Sequence, residues 1–161
     1  MAVTFGFFDS VSNDRRYNAE QMCNMLKGVI SKGVFQNVDN GLRVESGSGY
    51  TVNVLTGRAI IGDNLRWLQN DDSYPITLTS PHATLDRYTA IVIRLNESDR
   101  SVSIVAKDGE PASSPVRPPI ASNELCLAYI SVRRNVSAII QTDITDTRSD
   151  STVCGWVRSL I

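Results

Sequence analysis

The sequence predicts a mainly β protein, an antiparallel β-sandwich preceded by one N-terminal α-helix. Between Leu85 and Ala106, two apolar, β-branched arms flank the polar run Asn96–Arg100. Ile91, Ile93 and Leu95 share one face of the first arm, and Val102, Ile104 and Ala106 share one face of the second. That is the period-two pattern of a hairpin. The first arm is apolar on both faces, which places it centrally in a packed sheet. Short alternating stretches divided by turn residues continue the pattern from Val34 onward, as in sandwiches and barrels. Convincing helical periodicity occurs only at residues 18–32.

The 161 residues suit one domain and can bury a core without disulfides. A formal net charge of -1 offers no basic face for nucleic acid, and no charge block points to a membrane surface. Cys23, Cys126 and Cys154 are widely spaced and odd in number, so they read as buried thiols of a protein made in a reducing cytosol. The opening residues lack the basic region and sustained apolar core of a secretory signal, and no window approaches a membrane span.

Residues 1–17 form an aromatic arm. Phe5, Phe7 and Phe8 are followed by the polar run Asp9–Arg16. Such aromatics either pack on their own domain or anchor an interface with a neighbour. Residues 18–33 form the amphipathic helix and its stop. Asn18 is the N-cap with Gln21 three residues on, a capping-box spacing. Met22, Met25, Leu26, Val29 and Ile30 make its apolar stripe, and Gly33 is expected as the left-handed terminator. Gly28 in its middle costs about 1 kcal/mol relative to Ala. The helix is short enough to be marginal alone, so its face must meet the sheet or copies of itself.

Residues 34–161 form the sandwich. Val34–Val38 reads as a short strand ending at the turn Asp39-Asn40-Gly41. Tyr50, Val52 and Val54 alternate on a half-buried strand, Gly57 marks a turn, and residues 58–61 and 65–68 form a second hairpin. Pro75 puts the strand 74–79 at an edge or its own start. Residues 107–122, with Pro111, Pro115, Pro118 and Pro119, form a stiff extended loop. Residues 124–132 give a second strongly apolar strand.

Little in the chain points to catalysis. His82 lies among turn residues and has no sequence neighbours that would make a metal set or a triad. Gly47-Ser48-Gly49 opens no helix and lacks a P-loop lysine. Asp143, Asp146 and Asp150 do not follow an EF-hand pattern and read as a solvated turn, with a weak calcium site or a wall hydrolase's carboxylates as the sharper alternatives. No enzyme activity, cofactor or metal is expected. Trp67, Tyr74, Tyr88 and Trp156 could serve a saccharide site if exposed, against the ordinary alternative of core packing.

Taken together, Phe5-Gly6-Phe7-Phe8-Asp9-Ser10, Asp14-Arg15, Tyr17-Asn18-Ala19 and Gly33-Val34-Phe35 resemble the N-terminus of baseplate and tail-fibre proteins of tailed bacteriophages of Gram-positive bacteria. Tyr50–Ala59, Leu85-Asp86-Arg87, the Pro-rich loop and Leu127-Ala128-Tyr129-Ile130 continue the likeness in order across almost the whole chain. The resemblance implies the attachment, or shoulder, domain of a receptor-binding or baseplate protein. It implies a helix-plus-sandwich unit that is not an enzyme and commonly forms trimers, located in the virion after synthesis in the host cytoplasm. Its partners would be itself and other tail or baseplate proteins, with no nucleic acid or membrane. Phe5, Phe7, Phe8, Asp9, Met22, Met25, Leu26 and Val29 would then form the interface. Family members commonly continue into a neck and a receptor-binding head, whereas this sequence stops at Ile161, so the resemblance leaves two expectations, a baseplate adaptor with adhesion carried by another polypeptide or a fragment of a longer chain. The alternative is a carbohydrate-binding module for host cell-wall saccharide.

Overall fold

The computed structural model describes residues 8–161, so Phe5 and Phe7 lie outside the described residues. The elements run α1 (Ala19–Leu26), β1 (Gly33–Val34), β2 (Val44–Ser46), β3 (Thr51–Val54), β4 (Gly57–Ile61), β5 (Arg66–Asn70), β6 (Tyr74–Thr77), β7 (Arg87–Asn96), β8 (Ser101–Asp108), β9 (Glu124–Val132) and β10 (Ile144–Asp146). The fold is mainly β with one short helix near the N-terminus. All strand pairs within its sheets are antiparallel.

The hairpin at 87–108 forms as its pattern predicts. β7 lies inside a four-stranded sheet of order β10-β9-β7-β8, and β1-β4-β5 and β2-β3-β6 form two three-stranded sheets. One core joins all three. Ile61, Val52, Val54, Ile91, Leu127 and Ile130 meet in it and are almost fully enclosed. Pro75 lies on β6 at a sheet edge, where its missing N–H breaks no central ladder.

β7 needs two covers because both its faces are apolar. Ile91 and Ile93 face the main core, while Ala90 and Val92 join Cys126 and Tyr129 in a second cluster on the other face. That second face is closed by Ile120 of the Pro-rich loop and Val153 of the C-terminal segment. The loop is strapped down where Gly109 N–H donates to Tyr88 O at 2.7 Å and Lys107 Nζ donates to Pro119 O at 2.6 Å. Along β9 the alternation slips once. Ile91 pairs with Ala128 but Val92 pairs with Cys126, so Leu127 is an extra residue. This bulge lets Leu127 and Ala128 both reach the main core. Its freed carbonyls are used by Thr147, whose N–H donates to Leu127 O at 3.0 Å and whose hydroxyl donates to Cys126 O at 2.8 Å.

Several boundaries differ from the sequence expectation. The helix ends at Leu26, well before Lys32, and Val29 and Ile30 are not helical. Gly28 takes φ +106°, and beyond it the chain runs beside the C-terminal tail. There Ser31 N–H donates to Arg158 O at 2.9 Å, and Leu160 N–H donates to Val29 O at 2.8 Å. Val29 still closes a turn, its N–H donating to Leu26 O at 3.0 Å, and β-branched Ile30 begins the path beside the tail in a bridge with Ser159. Gly33 is no helix terminator. It opens β1 at φ +142°, and a Cβ there would lie 2.5 Å from the carbonyl oxygen of Gly155. β1 stops at Val34 rather than Val38, because residues 36–37 turn and Asp39 adopts φ +51°. Gly57 begins β4 rather than marking a turn, and its bare Cα lets the backbone at Leu42 approach closely. Cys126 and Cys154 are buried free thiols, but Cys23 is only half-buried.

Gly33→Ala combines left-handed strain with a clash against fixed backbone. It should lower unfolding free energy by more than about 2 kcal/mol. Urea denaturation should show a lower midpoint with an unchanged slope. An unchanged midpoint would contradict the tight Gly33–Gly155 contact.

Candidate functional site

α1 has an N-terminal capping box and is tied to the sheet by two side-chain contacts, from Cys23 and Lys27. Gln21 N–H donates to Asn18 Oδ1 at 2.9 Å, and Asn18 N–H donates to Gln21 Oε1 at 3.0 Å. This reciprocal capping box satisfies donors that the first turn leaves open. At the other side, Lys27 Nζ donates to Asn64 Oδ1 at 3.1 Å, and Cys23 Sγ lies 3.9 Å from Leu65 O. Both tethers reach the β4–β5 turn. None of the eight helical residues is buried.

The helix, β5 and the β7–β8 hairpin enclose an apolar groove of about 620 Å³. Met22, Met25 and Leu26 form one wall, and Leu65, Trp67 and Val102 stand in the others. Its polar rim is Arg66, Glu97 and Arg100, with Arg66 Nε 3.7 Å from Glu97 Oε2. Met22, Met25 and Trp67 remain 47%, 49% and 70% exposed, so the groove is open to solvent. Trp67 points outward because β5 alternates, and its neighbour Leu68 packs on the core instead.

The residues singled out from sequence therefore sort into different places. Met22, Met25 and Leu26, expected at an interface, and Trp67, expected at a ligand site, share this groove. Val29 lies outside it, beside the C-terminal tail. Phe8 and Asp9 are exposed on the arm, where Phe8 N–H donates to Tyr17 Oη at 2.7 Å and the Arg15 guanidinium lies 5.5 Å from the Phe8 ring centre. Tyr74 lines a separate shallow depression with Gln69 and Ser103. Tyr88 is half-buried with Arg117 5.8 Å from its ring centre. Trp156 packs on the core under the Arg148 guanidinium at 5.1 Å. The four aromatics do not build one platform. Leu65, Leu95, Val102, Arg66 and Arg100 of the groove were not legible beforehand, since they come from elements that only the tertiary topology brings to α1.

The charged clusters are closed on themselves. Glu124 Oε1 accepts from Arg94 Nε at 3.0 Å, and its Oε2 accepts from Lys107 Nζ at 2.8 Å and Ala121 N–H at 2.9 Å. Burial alone would raise its carboxyl, but the Ala121 N–H, Lys107 and Arg94 outweigh that and hold it below the usual glutamate range. Arg87 is buried and donates to Ser80 O at 2.9 Å and to Thr79 O. The three carboxylates of the 143–150 loop are engaged separately. Asp143 accepts from Ile140 N–H at 3.0 Å, Asp146 is gripped by Arg148, and Asp150 accepts from the Thr152 hydroxyl at 2.6 Å. Arg148 continues to Gly41 O at 2.8 Å, so this loop is a clamp between the tail and the β1–β2 connection. His82 is exposed, and its Nδ1 accepts from Leu85 N–H at 3.1 Å as a turn cap. Burial pushes the Cys154 thiol up to about 12 and raises that of Cys126, which favours the protonated thiol in both.

Comparison with family models, with curated proteins and with solved structures gives no match. Among the described residues, no helix is long and apolar enough to cross a membrane.

Glu124→Gln removes the charge from a carboxylate whose cations are partly solvated, so its cost is about 1–3 kcal/mol, at the low end for buried pairs. The folded carboxyl lies below its unfolded value. Its stabilisation is therefore complete above the ordinary glutamate range and is lost as pH falls through the folded value. Urea midpoints measured from pH 7 downward should show a shallower acid limb in the variant. Parallel acid limbs would contradict a native role for the ionised carboxylate.

Proposed function

We propose that this chain is a structural protein of a bacteriophage tail or baseplate. It acts as an oligomeric adaptor, a homotrimer, that holds the receptor-binding apparatus on the virion. The observation that carries the reading is the unburied face of α1, with Met22 and Met25 half-exposed beside a Trp67 that is 70% exposed. Fully burying side chains of this kind is worth about 1.5–3 kcal/mol each, and a helix of eight residues is marginal in water without packing. Association of copies would supply the missing cover. A closed trimer repeats one contact around its axis. The resemblance of residues 5–19 in sequence to the attachment end of baseplate and tail-fibre proteins supports reading this face as one that joins neighbours. The role is mechanical, so the site needs apolar complementarity rather than a reacting group.

Exposed Trp67 and Tyr74 favour a second reading, a module for host cell-wall saccharide. The two rings line different depressions, which weakens it.

Light scattering on the full chain should give the mass of a trimer, and Met22→Glu with Met25→Glu should reduce it to a monomer with an unchanged circular dichroism spectrum. A wild-type monomer, or a trimer indifferent to both changes, would refute the assembly reading. Wall-saccharide binding that is lost in Trp67→Ala and Tyr74→Ala would favour the second.

A further inference from the structure

We infer that the groove between α1, β5 and the β7–β8 hairpin binds a single-chain amphiphile with an anionic head, a long-chain fatty acid. The inference goes beyond the assembly reading and does not need it. Met22, Met25, Leu26, Leu65, Leu95 and Val102 give walls without charge, and charged side chains enter only as Arg66, Glu97 and Arg100. An extended peptide laid on such walls finds few side-chain partners for its own N–H and C=O groups. A hydrocarbon chain has no polar group to satisfy. Unbranched Met22 and Met25 can adapt their shape to a flexible chain. At about 620 Å³ the groove falls in the roughly 300–1,000 Å³ class of apolar clefts that hold a small ligand through a few placed polar groups.

Charge selects the head. Arg66 Nε lies 3.7 Å from Glu97 Oε2, so these two offset each other, and Arg100 has no ion pair among the described residues. The groove therefore carries one surplus cation, which attracts a carboxylate and repels an ammonium. The backbone marks the same place independently. Leu65 closes the β4–β5 turn at φ +48°, and Arg100 closes the β7–β8 turn at φ +52°. Leu65 N–H donates to Gly62 O at 3.2 Å and Arg100 N–H donates to Glu97 O at 3.3 Å. Glycine would make either turn without left-handed strain. Both turns instead spend that strain on a side chain that lines the groove, one apolar and one cationic, which are the two chemistries an amphiphile needs.

The test titrates the full chain with laurate, kept below its micelle concentration, in a calorimeter. Saturable binding of one laurate per chain is expected. Dodecylamine, which has the same chain and the opposite head, should bind about tenfold more weakly or worse. Arg100→Gly should weaken laurate about fivefold and raise the urea midpoint, because it removes the cation and the strain together. An arginine kept for the fold would lower that midpoint. In a Trp156→Phe chain, dibromostearate should quench the emission of Trp67. No saturable binding, equal affinity for the two heads, laurate binding indifferent to Arg100→Gly, or Trp67 emission unchanged by dibromostearate would each overturn the inference. A trimer that binds no laurate removes this inference and leaves the assembly reading standing.

Discussion

The fold depends on burying both faces of β7. A strand with Ile91 and Ile93 on one side and Ala90 and Val92 on the other cannot sit at a surface, so two separate layers must form against it. The two smaller sheets provide one layer. The Pro-rich loop and the C-terminal segment provide the other, which explains why an otherwise structureless stretch is fixed by backbone hydrogen bonds on Tyr88 and Asp86, one each, and by the Lys107–Pro119 contact. The Leu127 bulge belongs to the same requirement. It directs two consecutive β9 side chains into the main core, and Thr147 takes up the carbonyls this displaces. Loss of packing on either face would expose the same strand.

Polar groups follow the apolar layers rather than setting them. Glu124 is buried at the start of β9 because the loop that covers the second cluster passes over it, and Arg94, Lys107 and Ala121 N–H then satisfy it. Arg87, at the start of β7, is likewise closed by carbonyls of the preceding segment. Such groups are costly if left alone and nearly neutral when satisfied, so they specify where loops dock more than they add stability. The apolar face of α1 stands apart from this closure. Met22 and Met25 on it stay about half-exposed, and they are what the proposed assembly would cover.

The sequence pattern made the β architecture legible because period-two alternation reports local burial, and in β3, β5 and the 87–108 hairpin the local and global demands agree. It misjudged the helix end because Val29 and Ile30 fit the spacing of a helical stripe, whereas the chain turns at 27–29 and then pairs with residues 158–160, which are remote in sequence. Gly33 carries the same lesson: its role is a close approach to Gly155, not a local cap. Part of the groove was legible in the Met stripe, while Trp67 was a ligand candidate only if exposed, with core packing as the ordinary alternative. The rest comes from Leu65, Leu95 and Val102, which read as ordinary strand and turn residues until topology sets them opposite α1.

The most direct measurement is the tryptophan emission of the folded chain over a dilution series spanning its association. Trp156 is replaced by Phe, so a concentration-dependent change reports Trp67, the one remaining indole. If a neighbouring copy covers the groove, the emission should be blue-shifted at high concentration and move to the red on dilution, in step with the fall in mass. An emission maximum that stays red at every concentration, in a sample that remains associated, would show that assembly leaves this face uncovered and would contradict the role given to it.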